Sequence, residues 1–600
     1  MPEREHTQFL GRTLFLGILQ FVLLLLLLGR MYYLQIFEGN YYHLLAEGNR
    51  IATRPLIPLR GQIYDRHKSP LAQNEASFRA VLLTDKKDKI EEVLDTLSGL
   101  IALSFEEREE VLKLAQKKRG FDSIIVKDNL SWPEISAIEL HAADLPGISI
   151  EVGSIRKYPE ILNGAHLLGY IASPSEKEQE EDSVLTIAGL KVGKVGLEKY
   201  YDLRLRGLPG HSAFEVNAKR KIVRDLHQVA SIPGEDIYLT LDARLQAYAQ
   251  ETLSSYESAS AVVIDIQNGD ILALVSTPSF DPNLFPRGIS HVDWLELMDN
   301  PYVPLTNKAI SGLYPPGSTL KPFVTLAALH LGVIDENSTI HCSGYMFVGN
   351  HKFHCYRKTG HGSVNFSRAV AESCDVFFYE IGKKVGIDLL STVYQDFGLG
   401  RAGFEGLPHS KKGLVPTKDW KKEEKNDNWT VSDTVQTSIG QGYMLATPLE
   451  LVVAMARLAG GGKRIVPRLE NQGTVSFQDM GYEQKFIKAI LETMNATVNK
   501  PSGTAFRWRI PIEGMEMAGK TGTSQVRRIT LQQRKAGQTK TAHLPWKYRE
   551  HGLFLGYAPA HKPRYAIVVV IEHAGGASLA VQAARDILLK AQFLEKETVL

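Results

Sequence analysis

Tyr314-Pro315-Pro316-Gly317-Ser318-Thr319-Leu320-Lys321 runs directly into an apolar segment that continues to Leu331. The Pro-Pro-Gly cluster is a turn signal, and the apolar run after it reads as a helix. Ser318 therefore falls at a helix N-terminus, where unpaired backbone N–H groups point at whatever binds there. Lys321 follows at i+3, one turn along the same face, so its amine can reach the serine hydroxyl. A serine with a neighbouring base is the minimum for attack on a carbonyl.

Two further motifs complete the set: Ser373-Cys374-Asp375, then Lys520-Thr521-Gly522-Thr523. They add a hydroxyl relay and a cationic strand, the pattern of enzymes that acylate a serine. Each motif alone is weak, since about two Ser-x-x-Lys matches arise by chance in a chain this long. Decoys are present at Ser154–Lys157, at Lys358-Thr359-Gly360 and at Ser363-Val364-Asn365. Context selects among the copies. Ser154 follows a strand-like run, Lys358 sits in a Gly/His-rich loop, and Ser363 lacks the apolar segment Val376 to Ile381 that anchors Ser373. Small residues at 518, 519, 522 and 523 let a ligand backbone lie against a strand edge.

Outward from these motifs the chain reads as an α+β domain from residue 235 to 600. Ala261 to Val275 is a hairpin turning at Asn268-Gly269. His551 to Tyr557 and Tyr565 to Glu572 are apolar strands, and Ser578 to Leu594 is a closing helix capped by Ser578. Strands from both sequence ends then share one antiparallel sheet, flanked by helices. Lys421 to Asn428 reads as a charged loop, and Val526 to Glu550 as a long basic one. Residues 35–234 form a mixed α/β pedestal. There, Arg60-Gly61…Asp65-Arg66 offers charges suited to inter-domain ion pairs, and Ser173 to Asp182 reads as a mobile, charge-rich loop.

Leu14 to Gly29 is apolar apart from Gln20, and the pattern resumes after Arg30 as Met31-Tyr32-Tyr33-Leu34. The uninterrupted part spans only ~24 Å, so crossing a bilayer needs the aromatic flank and a snorkelling Arg30. No small-x-small cleavage site follows, which favours an uncleaved anchor at 13–34 over a signal peptide. Arg4 and Arg12 precede the span while Glu38 and Glu47 follow it, leaving 1–12 as a cytoplasmic tail and the bulk outside. The 69 Lys+Arg and 67 Asp+Glu residues give a net charge of +2, which argues against nucleic acid as the main partner.

All three cysteines lie within a short stretch, as Cys342-x12-Cys355-x5-His361-x12-Cys374. Three thiolates and an imidazole suit a structural zinc ion, with His354 as the substitute nitrogen ligand. The competing readings are a Cys342–Cys355 disulfide with Cys374 left over, and three unrelated buried thiols. A bound ion would brace the Ser373 loop rather than perform chemistry.

Taken together, these residues resemble the class B penicillin-binding proteins, in their elongation (rod-shape) branch, over nearly the whole chain. The resemblance rests on Arg60-Gly61…Asp65-Arg66, Tyr158-Pro159, Gly164-Ala165-His166…Gly169-Tyr170, Gly196-Leu197-Glu198, Tyr314 to Ser318, Gly360-His361-Gly362…Val364-Asn365 and Ser373-Cys374-Asp375. Ser-x-Asp, where the wider superfamily has Ser-x-Asn, fits that branch. An ionised carboxylate there accepts but cannot donate, so it is expected to pair with a lysine such as Lys321.

The resemblance implies a single-pass enzyme of the bacterial inner membrane, its catalytic domain periplasmic. Such an enzyme cross-links peptidoglycan stem peptides and is acylated by β-lactams. It implies Ser318 as nucleophile, Lys321 as base, and Ser373 with Lys520 as relay. The oxyanion would be held by the backbone N–H groups of Ser318 and Thr523, and the substrate carboxylate by Thr521, Thr523 and Lys520. It implies no organic cofactor, and as partners a membrane-embedded glycosyltransferase of the shape machinery and an elongation scaffold protein on the pedestal. Competing functions are a D,D-carboxypeptidase or β-lactamase, which would not need the pedestal, and a non-catalytic β-lactam sensor or scaffold, which would not need all three motifs.

Overall fold

The computed structural model describes residues 3–39, 51–83, 90–117, 123–159, 164–216, 222–401, 404, 407, 410–527 and 544–599. Most of the segment expected to be a long basic loop after the Lys520 strand lies outside them.

Five strands build the central sheet of the C-terminal half: β1 (Ala259–Asp265), β2 (Ile271–Thr277), β3 (Ala518–Ser524), β4 (His551–Ala558) and β5 (Tyr565–Ile571). Their order is β2-β1-β5-β4-β3, antiparallel throughout. Asn268-Gly269 closes the β1–β2 hairpin with Gly269 at φ 77°, a left-handed geometry that glycine adopts at no steric cost.

β1, β2, β4 and β5 are buried along their whole length because both faces of the sheet are covered. Val262, Ile264, Leu553, Leu555, Val568 and Val570 pack into the larger core, which also holds the helices Lys321–His330 and Pro448–Ala459. Their neighbours Ala261, Val263, Phe554, Ile567 and Val569 face the helices Ala243–Ser254 and Ser578–Val599. The alternation of strand side chains thus divides one sheet between two cores. Each buried Val, Leu, Ile or Phe contributes ~1.5–3 kcal/mol. The closing helix includes Ser578 rather than being capped by it, and runs past Leu594.

The pedestal is centred on the long strand Pro70–Leu83, which pairs antiparallel with Ser123–Lys127 and Ile148–Lys157. Several contacts join the halves. Ile237–Tyr238 pairs parallel with Ile63–Tyr64, and Asp65 accepts the Ala243 N–H at 3.1 Å while Arg66 reaches Asp270 at 4.0 Å. Arg60 turns inward instead, to Glu198 at 2.7 Å and Asp202 at 2.9 Å. Gly61 has no room for a side chain: a Cβ would lie 2.0 Å from the Glu235 carbonyl oxygen.

Two segments expected to be loops are helical. Ser173 to Asp182 contains the helix Glu176–Glu181, opened by a Ser175/Glu178 capping box. That reciprocal pairing satisfies two orphan N–H groups and stabilises a helix that composition alone disfavours. Lys421 to Asn428 is helical through Lys425, within Lys418–Lys425, because Thr417 caps the helix and Lys421 is buried against Asp427 and Asp433.

At the other end, Glu3–Tyr32 is one helix continued by a π-turn to Phe37. Within Arg12–Phe37 the most apolar 18-residue window has a mean hydropathy of 2.3 and none of it is buried, so the helix is long and apolar enough to cross a membrane. Arg30 lies 5.4 Å from the Tyr33 ring, an arrangement that shelters its charge at the end of the apolar run.

Candidate active site

Ser318 stands half-buried on a single 3₁₀ turn, Gly317–Leu320, that leads into the Lys321–His330 helix. Three glycines let this turn lie flat against β3. A Cβ on Gly317 would meet the Thr523 carbonyl oxygen at 2.6 Å, one on Gly522 the Thr319 methyl at 2.7 Å, and one on Gly440 the Gly317 oxygen at 2.3 Å. Gly317 N donates to Gly440 O at 2.8 Å, and Gln441 Nε2 donates to Thr523 O at 3.0 Å. The first and third motifs are thereby pinned together by backbone contact.

Lys321 is fully buried, and its amine donates to Asp375 Oδ1 at 2.7 Å, Ser373 O at 2.9 Å and Ser373 Oγ at 3.1 Å. These three contacts use all of its donors, and none is the Ser318 hydroxyl. The anticipated lysine–nucleophile hydrogen bond is therefore absent from this arrangement. A buried ammonium is drawn to the one carboxylate that can offset its desolvation. Asp375 begins the helix Asp375–Val385 and accepts the Tyr356 N–H on its other oxygen at 2.9 Å. Between them Ser373 is held at φ 56°, a left-handed conformation that costs a non-glycine residue ~1–3 kcal/mol.

Among the described strands β3 pairs with β4 alone, so it lies at the edge of the sheet, the position from which a strand can take up an extended ligand. Lys520 is fully buried behind it, with Nζ 3.1 Å from the Thr521 carbonyl. Burial, reinforced by the charge of Lys321, holds the Lys520 amine well below the usual lysine range, while Asp375 opposes that shift. Thr521 and Thr523 are partly exposed and flank the buried Gly522. Thr521 Oγ1 also meets Thr504 Oγ1 at 2.8 Å.

Cys342, Cys355, His361 and Cys374 converge, with all their ligand atoms within 4.8 Å of one another and all four residues buried. His361 Nδ1 is 3.6 Å from Cys342 Sγ and 3.5 Å from Cys355 Sγ. Donors about 2.0–2.3 Å from a tetrahedral ion are spaced in this way, so the set fits zinc. All three cysteines are free thiols rather than a disulfide and a remainder. Cys374 donates to Cys355, which holds the Cys355 thiol down and pushes that of Cys374 up. His354 lies outside the cluster, on the strand His351–His354.

The decoy motifs take structural places. Ser154 is inside the strand Ile148–Lys157, and Asn365 caps the helix Phe366–Ala371 through Arg368 N. Gly360, at φ 76°, closes a turn over the Cys342 carbonyl, where a Cβ would come within 2.1 Å. Gln441, Thr504 and Tyr356 escaped sequence reasoning. Gln441 alone left a signal, in the glycine-flanked run Ser438 to Gly442.

Residues 259–589 match the family model described as penicillin binding protein transpeptidase domain, and 55–239 match the penicillin-binding protein dimerisation domain. The peptidoglycan D,D-transpeptidase MrdA of Acinetobacter baumannii is 36% identical, over 98% of this chain and 88% of its own. MrdA of Escherichia coli is 35% identical over 96% and 93%. Among solved structures, the complex between penicillin-binding protein PBP2 and MreC from Helicobacter pylori aligns with a TM-score of 0.80. It is 31% identical and covers 91% of this chain and 99% of that one. Pseudomonas aeruginosa PBP2 in complex with WCK 5153 aligns at 0.66, with 28% identity over 90% and 96%. The chain belongs to the penicillin-binding protein transpeptidases, in the PBP2 branch.

Proposed function

We propose that this chain is a peptidoglycan D,D-transpeptidase that cross-links stem peptides during cell elongation, through an acyl-enzyme on Ser318. The observation that carries the reading is the convergence of the three motifs, with Lys321 buried between Ser373 and Asp375 one turn from Ser318.

Ser318 Oγ attacks the penultimate D-Ala carbonyl of a donor peptide, with Lys321 as the general base that takes the hydroxyl proton. The oxyanion is received by the Ser318 and Thr523 N–H groups, worth roughly 3–4 kcal/mol per donor lost. The C–N bond then breaks, and the departing D-Ala amine takes its proton by way of Ser373 and Lys520. A depressed lysine accepts and releases protons readily, which suits Lys520 to the relay. Thr521 and Thr523 hold the terminal carboxylate beside the open edge of β3. An acceptor amine attacks the ester, forming the new amide and freeing Ser318. A β-lactam carbonyl enters the same path and stays on the serine.

Residues 13–34 anchor the protein in the inner membrane with 1–12 cytoplasmic, and 35–234 and 235–600 are the periplasmic pedestal and transpeptidase domain. The family matches at 55–239 and 259–589 support that division. A scaffold protein of the MreC kind docks on the pedestal, and a membrane-embedded glycosyltransferase of the shape machinery meets the anchor. Cys342, Cys355, His361 and Cys374 would hold one zinc ion, which fixes the loops around Ser373 and takes no part in acyl transfer.

Labelling of the purified protein with a fluorescent β-lactam tests the reading. Intact mass should show one adduct that is lost in Ser318→Ala. Rapid drug turnover without an adduct points to a hydrolase instead, and no adduct with the drug intact points to a scaffold.

A further inference from the structure

We propose that Tyr356 is a positioning residue for acyl transfer, a clasp that holds both ends of the Ser373 turn in its catalytic shape. The inference rests on the catalytic reading of Ser373 given above. It goes beyond the three motifs, because Tyr356 belongs to none of them.

The turn Glu372-Ser373-Cys374-Asp375 has Ser373 in the left-handed region, and its surroundings must supply what that conformation costs. From below, Ser373 N bonds Val370 O at 3.2 Å, Cys374 N bonds Ala369 O at 2.9 Å, and Lys321 holds the Ser373 carbonyl. Tyr356 closes the turn from above at two points. Its hydroxyl donates to Glu372 O at 2.8 Å, ahead of the serine, and its backbone N–H donates to Asp375 Oδ2 at 2.9 Å, beyond it. The bond to Asp375 leaves Oδ1 for Lys321, so the carboxylate has one rotamer that serves both. The Tyr356 ring rests edge-on against His361 at 5.5 Å. Arg368 and Arg357 hold the Glu372 carboxylate at 2.7 and 3.2 Å, so the residue whose carbonyl Tyr356 grips is itself fixed.

A tyrosine that is 59% exposed yet aims both of its donors at one four-residue turn has little core to stabilise. Its contribution is to the geometry of Ser373 Oγ and Asp375. Without the hydroxyl clasp the turn relaxes, Ser373 Oγ leaves the line between Lys321 and the reacting bond, and bond-making slows while substrate capture on β3 is unaffected.

The test is β-lactam acylation of the full-length, detergent-solubilised protein, with the initial binding constant and the acylation rate constant separated by stopped flow. Losing one neutral hydrogen bond should slow acylation in Tyr356→Phe about five- to tenfold, with binding within twofold and Tm unchanged. In a Ser373→Ala background the same substitution should cost nothing further. An acylation rate within twofold of wild type in Tyr356→Phe overturns the proposal, as does an equal loss in both backgrounds. A Ser373→Ala protein that acylates at the wild-type rate sinks the underlying catalytic reading. A slow Ser373→Ala beside a normal Tyr356→Phe sinks the clasp alone.

Discussion

Lys321 and Asp375 form a buried ion pair at 2.7 Å, with the lysine fully enclosed and the carboxylate side chain 14% exposed. Fifty-four positions apart in sequence, they join the helix behind Ser318 to the helix behind Ser373. Asp375→Asn would leave the ammonium without its counter-charge, and removal of one partner of a buried pair costs roughly 3–5 kcal/mol. We expect a clear drop in Tm together with β-lactam labelling slowed by an order of magnitude or more. Unchanged Tm and labelling would mean that the pair is dispensable.

Contact between the nucleophile's turn and β3 depends on glycine. Gly522→Ala places a methyl 2.7 Å from the Thr319 methyl and 3.0 Å from the Pro316 carbonyl. Overpacking of this kind costs ~1–3 kcal/mol and shifts backbone. Acylation should fall more than stability does, which a labelling time course beside a melting curve would reveal. Equal losses would assign Gly522 to folding alone.

Metal analysis of protein purified without chelator should return about one zinc per chain, and Cys374→Ser should lower both metal content and Tm. A metal-free protein with Cys342 and Cys355 bridged in peptide mapping would refute the zinc assignment.

Two histidines, the partly buried His166 and the buried His551, set an acid limit on stability. Burial pushes His166 down to about 4, the Pro304 carbonyl opposing and Lys308 assisting the shift. Burial, assisted by His573 and opposed by Glu572, pushes His551 to about 4 as well. Between pH 6.5 and 4 the unfolded chain binds these protons and the folded one does not, so stability falls as the pH drops through that window. Above 6.5 the two groups contribute no slope. Each adds at most about 1.4 kcal/mol per pH unit. His551→Gln should flatten the Tm profile across the window, and an unaltered profile would exclude that imidazole.

Four strands of the sheet were legible because they carry apolar runs, two of them joined by the turn dipeptide Asn268-Gly269. Neither depends on distant parts of the chain. The helices Glu176–Glu181 and Lys418–Lys425 were not legible from composition. Their stability comes from a capping box at Ser175 and from Lys421 gripping Asp433 across a turn, which hydropathy does not register. The site divides in the same way. Motif spacing picked out Ser318, Ser373 and Lys520, and it also suggested that the lysine beside Ser318 would bond to it. In the fold that lysine holds Asp375, the pairing expected of an ionised carboxylate at that position, because burial makes charge compensation outweigh proximity to Ser318. Tyr356, Thr504 and Gln441 act across loops whose meeting only the assembled domain reveals.

The strand order has a consequence for biosynthesis. β1, near residue 260, finds its partner β5 only after some three hundred further residues have been made. β3, which carries Lys520, joins the sheet solely through β4 and β5. Nothing made before residue 571 can therefore assemble the cleft, although all three motifs have already emerged from the ribosome. Pairing of such long sequence separation is slow and leaves apolar strands uncovered meanwhile. A chain halted after Ser524 would contain all three motifs and remain unreactive toward β-lactams, so the last few dozen residues are the switch that turns the polypeptide into an enzyme.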